Sequence, residues 1–235
     1  MKGIASKIFD AAGRTVVAAC FVAALCAHAS AQTGASPQAQ QTPQPQAAVN
    51  AGTITGTTYF NEYFGMSLSV PAGWNFYDAQ GRQAIVDNGR HLLNAPDKTT
   101  QDAFNQGLDQ TVNLLTVSKL PQSQSGPDNA LFACGAERLT GTGIKTGVEY
   151  LTAMKRLIQY ATPPAPQVEE DVSTEMVGGV EFGVLTLRYA GPAGAIRQKY
   201  WAIPKRDYAL FCISTYTNDD DRQLMNKAMG TIKFQ

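Results

Sequence analysis

The sequence predicts an α+β fold in which an antiparallel, meandering sheet is covered by helices. Three observations carry that reading. Phe64, Met66, Leu68 and Val70 alternate with Gly65, Ser67 and Ser69, the period of a strand with one buried face. In the second half, two pairs of strand-like runs each flank a short polar or glycine turn, as in hairpins. Two stretches with a helical spacing of apolar residues each begin at a capping sequence.

In chain order, the first strand ends at Pro71-Ala72-Gly73 and is followed by Trp74. Residues 111–120 and 130–138 read as further strands. Thr146-Gly147-Val148-Glu149 has the S/T-x-x-E form of a capping box, in which each side chain satisfies the other residue's free backbone N–H. The helix it opens places Leu151, Met154, Leu157, Ile158 and Ala161 on one face, and the prolines at 163, 164 and 166 stop it. Residues 167–177 and 180–190 flank Gly178-Gly179, and 195–203 and 208–217 flank Pro204-Lys205-Arg206-Asp207. Asn218 is placed to cap a last helix, whose first turn carries Asp219, Asp220 and Asp221 at the positive end of the helix dipole. Leu224, Met225, Ala228 and Met229 form its apolar stripe, Gly230 ends it, and residues 231–234 add a terminal strand.

Residues 1–31 precede this domain and read as a secretory signal peptide. Lys2, Lys7 and Arg14 make a positive start, Thr15 to Ala27 is uncharged, and Ala29-Ser30-Ala31 is an A-x-A cleavage site that leaves Gln32 as the first mature residue. Cleavage after Ala29 is the alternative, and an uncleaved anchor or lipidation at Cys20 are the competing fates. The apolar stretch is too short for an ordinary transmembrane helix, so no span is expected in the mature chain. Residues 32–56 are rich in Gln, Ala, Thr and Pro and contain neither a charge nor an aromatic ring. Such a segment buries too little apolar surface to offset its ordering entropy and is expected to be a disordered linker. Residues 57–235 then form one domain.

The whole chain carries 19 basic and 19 acidic residues. Removing three bases and one acid with the signal leaves a net charge of −2, which excludes a dedicated nucleic-acid binder because phosphate neutralisation needs a basic excess. Export also leaves two of the four cysteines, Cys134 and Cys212. An even pair in an oxidising compartment is a disulfide candidate, and two separate buried thiols are the alternative. Phe132 shares a face with Cys134, as Leu210 does with Cys212.

The opening FGMSLSVPAGW (Phe64 to Trp74) and the closing YALFCISTYTNDDDRQLMNKAMGTIKF (Tyr208 to Phe234) resemble the two ends of the PsbP-like fold. That family includes the photosystem II extrinsic protein PsbP, a nuclear Ran-binding factor and many bacterial envelope proteins. The resemblance implies an α/β/α sandwich serving as a binding or assembly module rather than as an enzyme. With the Gln/Pro spacer and no chloroplast-type targeting, it implies a bacterial periplasmic or surface-exposed relative.

Motifs with chemistry of their own are few. His91 is the only histidine of the mature chain, so neither a zinc set nor a Ser-His-Asp arrangement with a G-x-S-x-G elbow can be assembled from local motifs. Gly141-Thr142-Gly143-Ile144-Lys145-Thr146-Gly147 departs from both the P-loop and the dinucleotide spacing and reads as a turn. Glu169-Glu170-Asp171 and Asp219-Asp220-Asp221 lack the alternation of a calcium loop. No catalytic residue, metal or cofactor is therefore expected. The aromatic group Tyr59, Phe60 and Tyr63 is the candidate partner contact, and covering the edge or open end of the sheet is its structural alternative. The functional expectation is an exported envelope protein that works through protein–protein contacts. The alternatives are an envelope hydrolase with a spatially assembled carboxylate site and a small-ligand-binding protein.

Overall fold

A computed structural model describes residues 49–92, 97–124, 129–159, 166–191 and 194–235 of the chain. The segment read as a signal peptide, its expected cleavage site at Ala31 and Gln32, and most of the expected linker lie outside the described residues. Among the described residues, eleven strands divide between two antiparallel sheets. The smaller has the order β1-β2-β3-β11, formed by Thr53–Thr55, Thr58–Asn61, Met66–Ser69 and Lys233–Phe234. The larger has the order β4-β5-β6-β10-β9-β8-β7. Its strands are β4 (Asn75–Phe76), β5 (Thr111–Ser118), β6 (Leu131–Arg138), β7 (Gln167–Val177), β8 (Val180–Gly191), β9 (Gly194–Lys205) and β10 (Tyr208–Tyr216). The meander β7 to β10 winds back so that β10 pairs with β6 in the middle of the sheet.

Among the described residues the α-helices are α1 (Ala79–Leu92), α2 (Lys98–Asp109), α3 (Gly147–Gln159) and α4 (Asp219–Met229). Period-two alternation along the central strands sends successive side chains into two cores. On one face Ala133, Leu185, Leu187, Ile196, Tyr200, Phe211 and Ile213 pack against Ile85 of α1, Leu108 of α2 and Leu151, Met154, Leu157 and Ile158 of α3. On the other face Phe132, Cys134, Phe182, Trp201, Leu210 and Cys212 pack against Tyr59, Phe64, Met66 and Leu68 of the small sheet and Met225 and Met229 of α4. The α+β class holds. The covering layers are helices on one side and the small sheet with α4 on the other.

Both expected caps form. Glu149 N donates to Thr146 Oγ1 at 3.1 Å and Thr146 N donates back to Glu149 Oε2 at 3.1 Å, while Asp221 N donates to Asn218 Oδ1 at 2.9 Å. The start of α3 sits directly on the large sheet, where Gly147 and Gly183 meet backbone to backbone. A Cβ on Gly147 would lie 1.9 Å from the Ala202 carbonyl oxygen, and one on Gly183 would lie 2.3 Å from the Gly147 carbonyl carbon.

Three details depart from the sequence reading. The linker was expected to run to residue 56, but Thr53–Thr55 already pair with Thr58–Phe60. The reason is local: the β-branched Thr53-Ile54-Thr55 turns through Gly56, whose φ of 59° suits a two-residue hairpin loop. Helices α1 and α2 were not foreseen. Leu224 points outward at 43% exposure, because the apolar face of α4 is narrower than its sequence stripe.

Candidate functional site

The region with most unspent chemistry lies where the β2–β3 loop meets the tip of the β9–β10 hairpin. Asn61 builds the loop from inside. Its amide donates to Tyr59 Oη at 3.0 Å and to the Asn50 carbonyl at 2.9 Å, and its Oδ1 accepts from Phe64 N at 3.2 Å. Gly65 closes the turn at φ 59°, and a Cβ there would sit 2.7 Å from the Gln235 carbonyl oxygen. Gln235 N in turn donates to the Gly65 carbonyl at 2.8 Å, so the loop is pinned to the strand after α4. Pinned in this way, the loop buries Phe64 and leaves Tyr63 half-exposed.

Tyr63, Phe64 and Tyr208 form a triangle of mutually edge-on rings, with centroids 4.9 Å apart for Tyr63–Phe64 and 5.8 Å for each of the other two pairs. This is the arrangement the ring quadrupole favours. Cations lie over the framework. The Arg206 guanidinium is 4.8 Å from the Tyr63 centroid, and Lys205 Nζ is 4.7 Å from that of Phe234. Arg138 is 5.4 Å from the Tyr208 centroid and donates to Tyr208 Oη at 2.9 Å. None of the three takes part in an ion pair among the described residues, as is also true of Arg82, Lys145, Arg156, Arg188, Lys227 and Lys233; what sets the three apart is that each lies over an aromatic ring at one end of the molecule. An open cleft of about 720 Å³ runs between loop and hairpin, lined by Phe60, Glu62, Phe64, Gly65, Lys205, Arg206 and Gln235.

Arg206 is the one non-glycine residue with positive φ among the described residues, at 56°. That conformation costs an L-residue about 1–2 kcal/mol, and such strain gathers where function requires it.

Of the three residues read as partner contacts, Phe60 and Tyr63 belong to this end and Tyr59 does not. Tyr59 is 0% exposed, packed beneath the small sheet, and burial raises its hydroxyl pKa to about 12. Neighbouring residues of a strand face opposite ways, so a partner that touches Phe60 cannot touch Tyr59. Lys205, Arg206, Arg138 and Tyr208 were missed as site residues. The Lys-Arg pair in a predicted turn was the available signal, but nothing local to the sequence brings residues 63, 138 and 208 together.

The other candidates fall elsewhere. Cys134 and Cys212 stand directly opposite each other on β6 and β10, their sulfurs 2.09 Å apart, within the core beneath the small sheet. His91 falls on α1, and its side chain lies outside the described residues. The acidic run of β7 is dispersed. Glu169 accepts from Arg197 at 2.8 Å, Glu170 from the Thr186 hydroxyl at 2.7 Å, and Asp171 from Lys155 at 2.6 Å, which holds the Asp171 carboxyl below its usual range. Asp219 accepts from Arg222, and the buried Asp221 from Lys119 at 2.8 Å. A second polar cleft of about 610 Å³ does collect Glu169, Glu170 and Asp219, each already engaged by a neighbour on the chain. No group of three or more potential metal ligands occurs among the described residues.

Fold and site together describe an α+β protein with a cluster of packed rings at one end, over which lie three cations that make no ion pair among the described residues. No family model and no curated protein matches the chain. Among solved structures, it is similar to cyanobacterial PsbP from Synechocystis, with 9% identity, 80% of this chain and 99% of that one covered, and a TM-score of 0.45. It is also similar to LpqN, which is involved in cell envelope biogenesis of Mycobacterium tuberculosis, with 15% identity, 72% and 82% covered, and a TM-score of 0.36. A structure from Bacteroides thetaiotaomicron matches with 9% identity and a TM-score of 0.40; 77% of this chain is covered, and it spans about half of that one, 49%. A PsbP is thus among the structures the fold resembles, and at these values the likenesses carry no functional argument. No helix among the described residues is long and apolar enough to cross a membrane.

Proposed function

We propose that this protein is an exported, non-enzymatic binding or assembly module of the cell envelope, and that it engages a protein partner through the end formed by Phe60, Tyr63, Lys205 and Arg206. The observation that carries the reading is the set of three cations, Arg138, Lys205 and Arg206, held over aromatic rings at one end of the molecule with no ion pair among the described residues. Arg and Tyr are the residue types that dominate binding hot spots, because they offer large contact area and directional bonding. Arg206 keeps a strained backbone at an exposed hairpin tip, where glycine would remove the strain. Export is supported by the signal-like segment of residues 1–31 and by the apposition of Cys134 and Cys212, a pair that an oxidising compartment joins.

The test is site-specific photo-crosslinking in living cells, with benzoylphenylalanine in place of Phe60 and, as control, in place of Gln223 on the exposed side of α4. The reading expects one discrete protein adduct from position 60, absent from position 223 and lost in Arg206→Ala. Recovery of the uncrosslinked chain alone from position 60, at native abundance, contradicts it.

A further inference from the structure

The proposed partner surface has a charge pattern that specifies more than the presence of a partner. Tyr208 of β10 lies opposite Arg138 of β6 on one side and opposite Lys205 of β9 on the other, so the two cations flank the ring across three adjacent strands. With about 4.8 Å between strands, their anchor points are about 10 Å apart. Arg206 adds a third cation at the hairpin tip, laid over Tyr63. Positive charge is therefore spread along a line rather than converged on one point, which suits several separate carboxylates better than a single phosphate. The rings hold each cation in place, so less side-chain entropy remains to be lost when a carboxylate docks. The surface is also concave, with the half-buried Phe60 and the edge of the buried Phe64 on the cleft wall. That shape accepts side chains of an extended segment and does not present an apolar crest to a lipid surface. One carboxylate, Glu62, stands on the cleft wall and restricts where an incoming acid can sit.

We infer that the cleft between the β2–β3 loop and the β9–β10 tip binds an extended acidic segment of a partner protein, its carboxylates pairing with Lys205 and Arg206 on the cleft wall and with Arg138 beyond it, and its interspersed apolar or aromatic side chains resting against Phe60 in the cleft and Tyr63 outside its lining. The inference rests on the binding-module reading above and names the chemistry of the partner.

The experiment uses the mature chain and three labelled peptides, repeats of Glu-Tyr-Glu-Ala, Gln-Tyr-Gln-Ala and Lys-Tyr-Lys-Ala, with fluorescence anisotropy at low and high salt. The Glu peptide is expected to bind roughly tenfold or more tighter than the Gln peptide, and its advantage should shrink as salt screens the charges. Arg206→Gln and Lys205→Gln should each weaken the Glu peptide about three- to fivefold and leave the Gln peptide unchanged. Tyr63→Ala should weaken both peptides, and Lys227→Gln, on the exposed side of α4, should weaken neither. Equal binding of Glu and Gln peptides overturns the inference, as does a Glu preference that survives the Arg206→Gln/Lys205→Gln double substitution. Binding to phosphatidylglycerol vesicles that depends on Arg206 and Lys205, with no peptide bound, overturns it in favour of a lipid surface. A partner crosslinked from position 60 that shows no acidic preference removes the inference and leaves the binding-module reading standing. Acidic-peptide binding without any adduct from position 60 in cells removes that reading instead.

Discussion

Glu137 lies on the helix-covered face of β6 at 1% exposure, and its Oε2 accepts from the Tyr150 hydroxyl on α3 at 2.8 Å. Burial disfavours the charged form and raises its pKa from the ordinary 4.5 to about 8, with the Tyr150 hydrogen bond opposing the shift. Between those two values the folded chain holds a proton that the unfolded chain has lost. Stability is therefore greatest at and below the ordinary pKa, falls by about 1.36 kcal/mol per pH unit as pH rises, and levels off above pH 8. Over the interval of about 3.5 pH units the loss is of order 3–5 kcal/mol, a large part of a typical domain's stability. Glu137→Gln keeps the shape and an acceptor for the Tyr150 hydroxyl and has no proton to release. Urea unfolding of both proteins at pH 5, 6, 7 and 8 should show the difference between them growing in favour of Glu137→Gln toward alkaline pH. Subtracting the two profiles removes every other titrating group. Parallel profiles would refute the reasoning and place Glu137 in contact with water.

Three further outcomes follow from the packing. Joining Cys134 to Cys212 closes a loop across a sequence separation of 78, worth about 4.5 kcal/mol in the chain-entropy model; residues 32–235 prepared under oxidising conditions should give no maleimide-reactive thiol until denatured and reduced, and should unfold at lower denaturant once reduced. Gly147→Ala and Gly183→Ala each force a Cβ into backbone where α3 meets β8 and β9, so each should lower stability by about 3 kcal/mol or more, seen as a fall in Tm or as insoluble expression. Arg206→Gly relieves about 1–2 kcal/mol of backbone strain and forfeits about 0.5–1 kcal/mol of cation–ring attraction. Its Tm should therefore stay at or slightly above that of the wild type while partner binding is lost; a clear fall in Tm would make Arg206 a structural residue.

Local signals in the sequence carried far where the chemistry itself is local. The Thr146/Glu149 box and the Asn218 cap involve residues three positions apart, and both form as read. The β7–β8 and β9–β10 hairpins were legible from their turns, Gly178-Gly179 and Pro204-Lys205-Arg206-Asp207, even though β7 itself is mostly polar and exposed. Helices α1 and α2 were not, although AQGRQAIVDNGRHL and KTTQDAFNQGLD are as amphipathic as the two helices that were read; each carries internal glycine, which lowers helix propensity. Asp78, whose Oδ1 accepts from Gly81 N at 2.7 Å, was the available sign of a helix start. The division into two sheets was not legible either, because pairing of β11 with β3 joins residues far apart in the chain. The site shows the same limit. Phe60 and Tyr63 were found as an aromatic cluster, but their burial relative to Tyr59 depends on which face of β2 meets the core. Arg138, Lys205 and Arg206 became a group only through strand register.

The central claim is that the end built from Phe60, Tyr63, Lys205 and Arg206 is where this protein meets its partner. Photo-crosslinking from position 60 in living cells tests it most directly. A single protein adduct from the wild-type background, lost in Arg206→Gly while that variant stays folded, is the predicted result. An adduct of equal yield in Arg206→Gly, or none from position 60 with a strong one from position 223, would contradict the account.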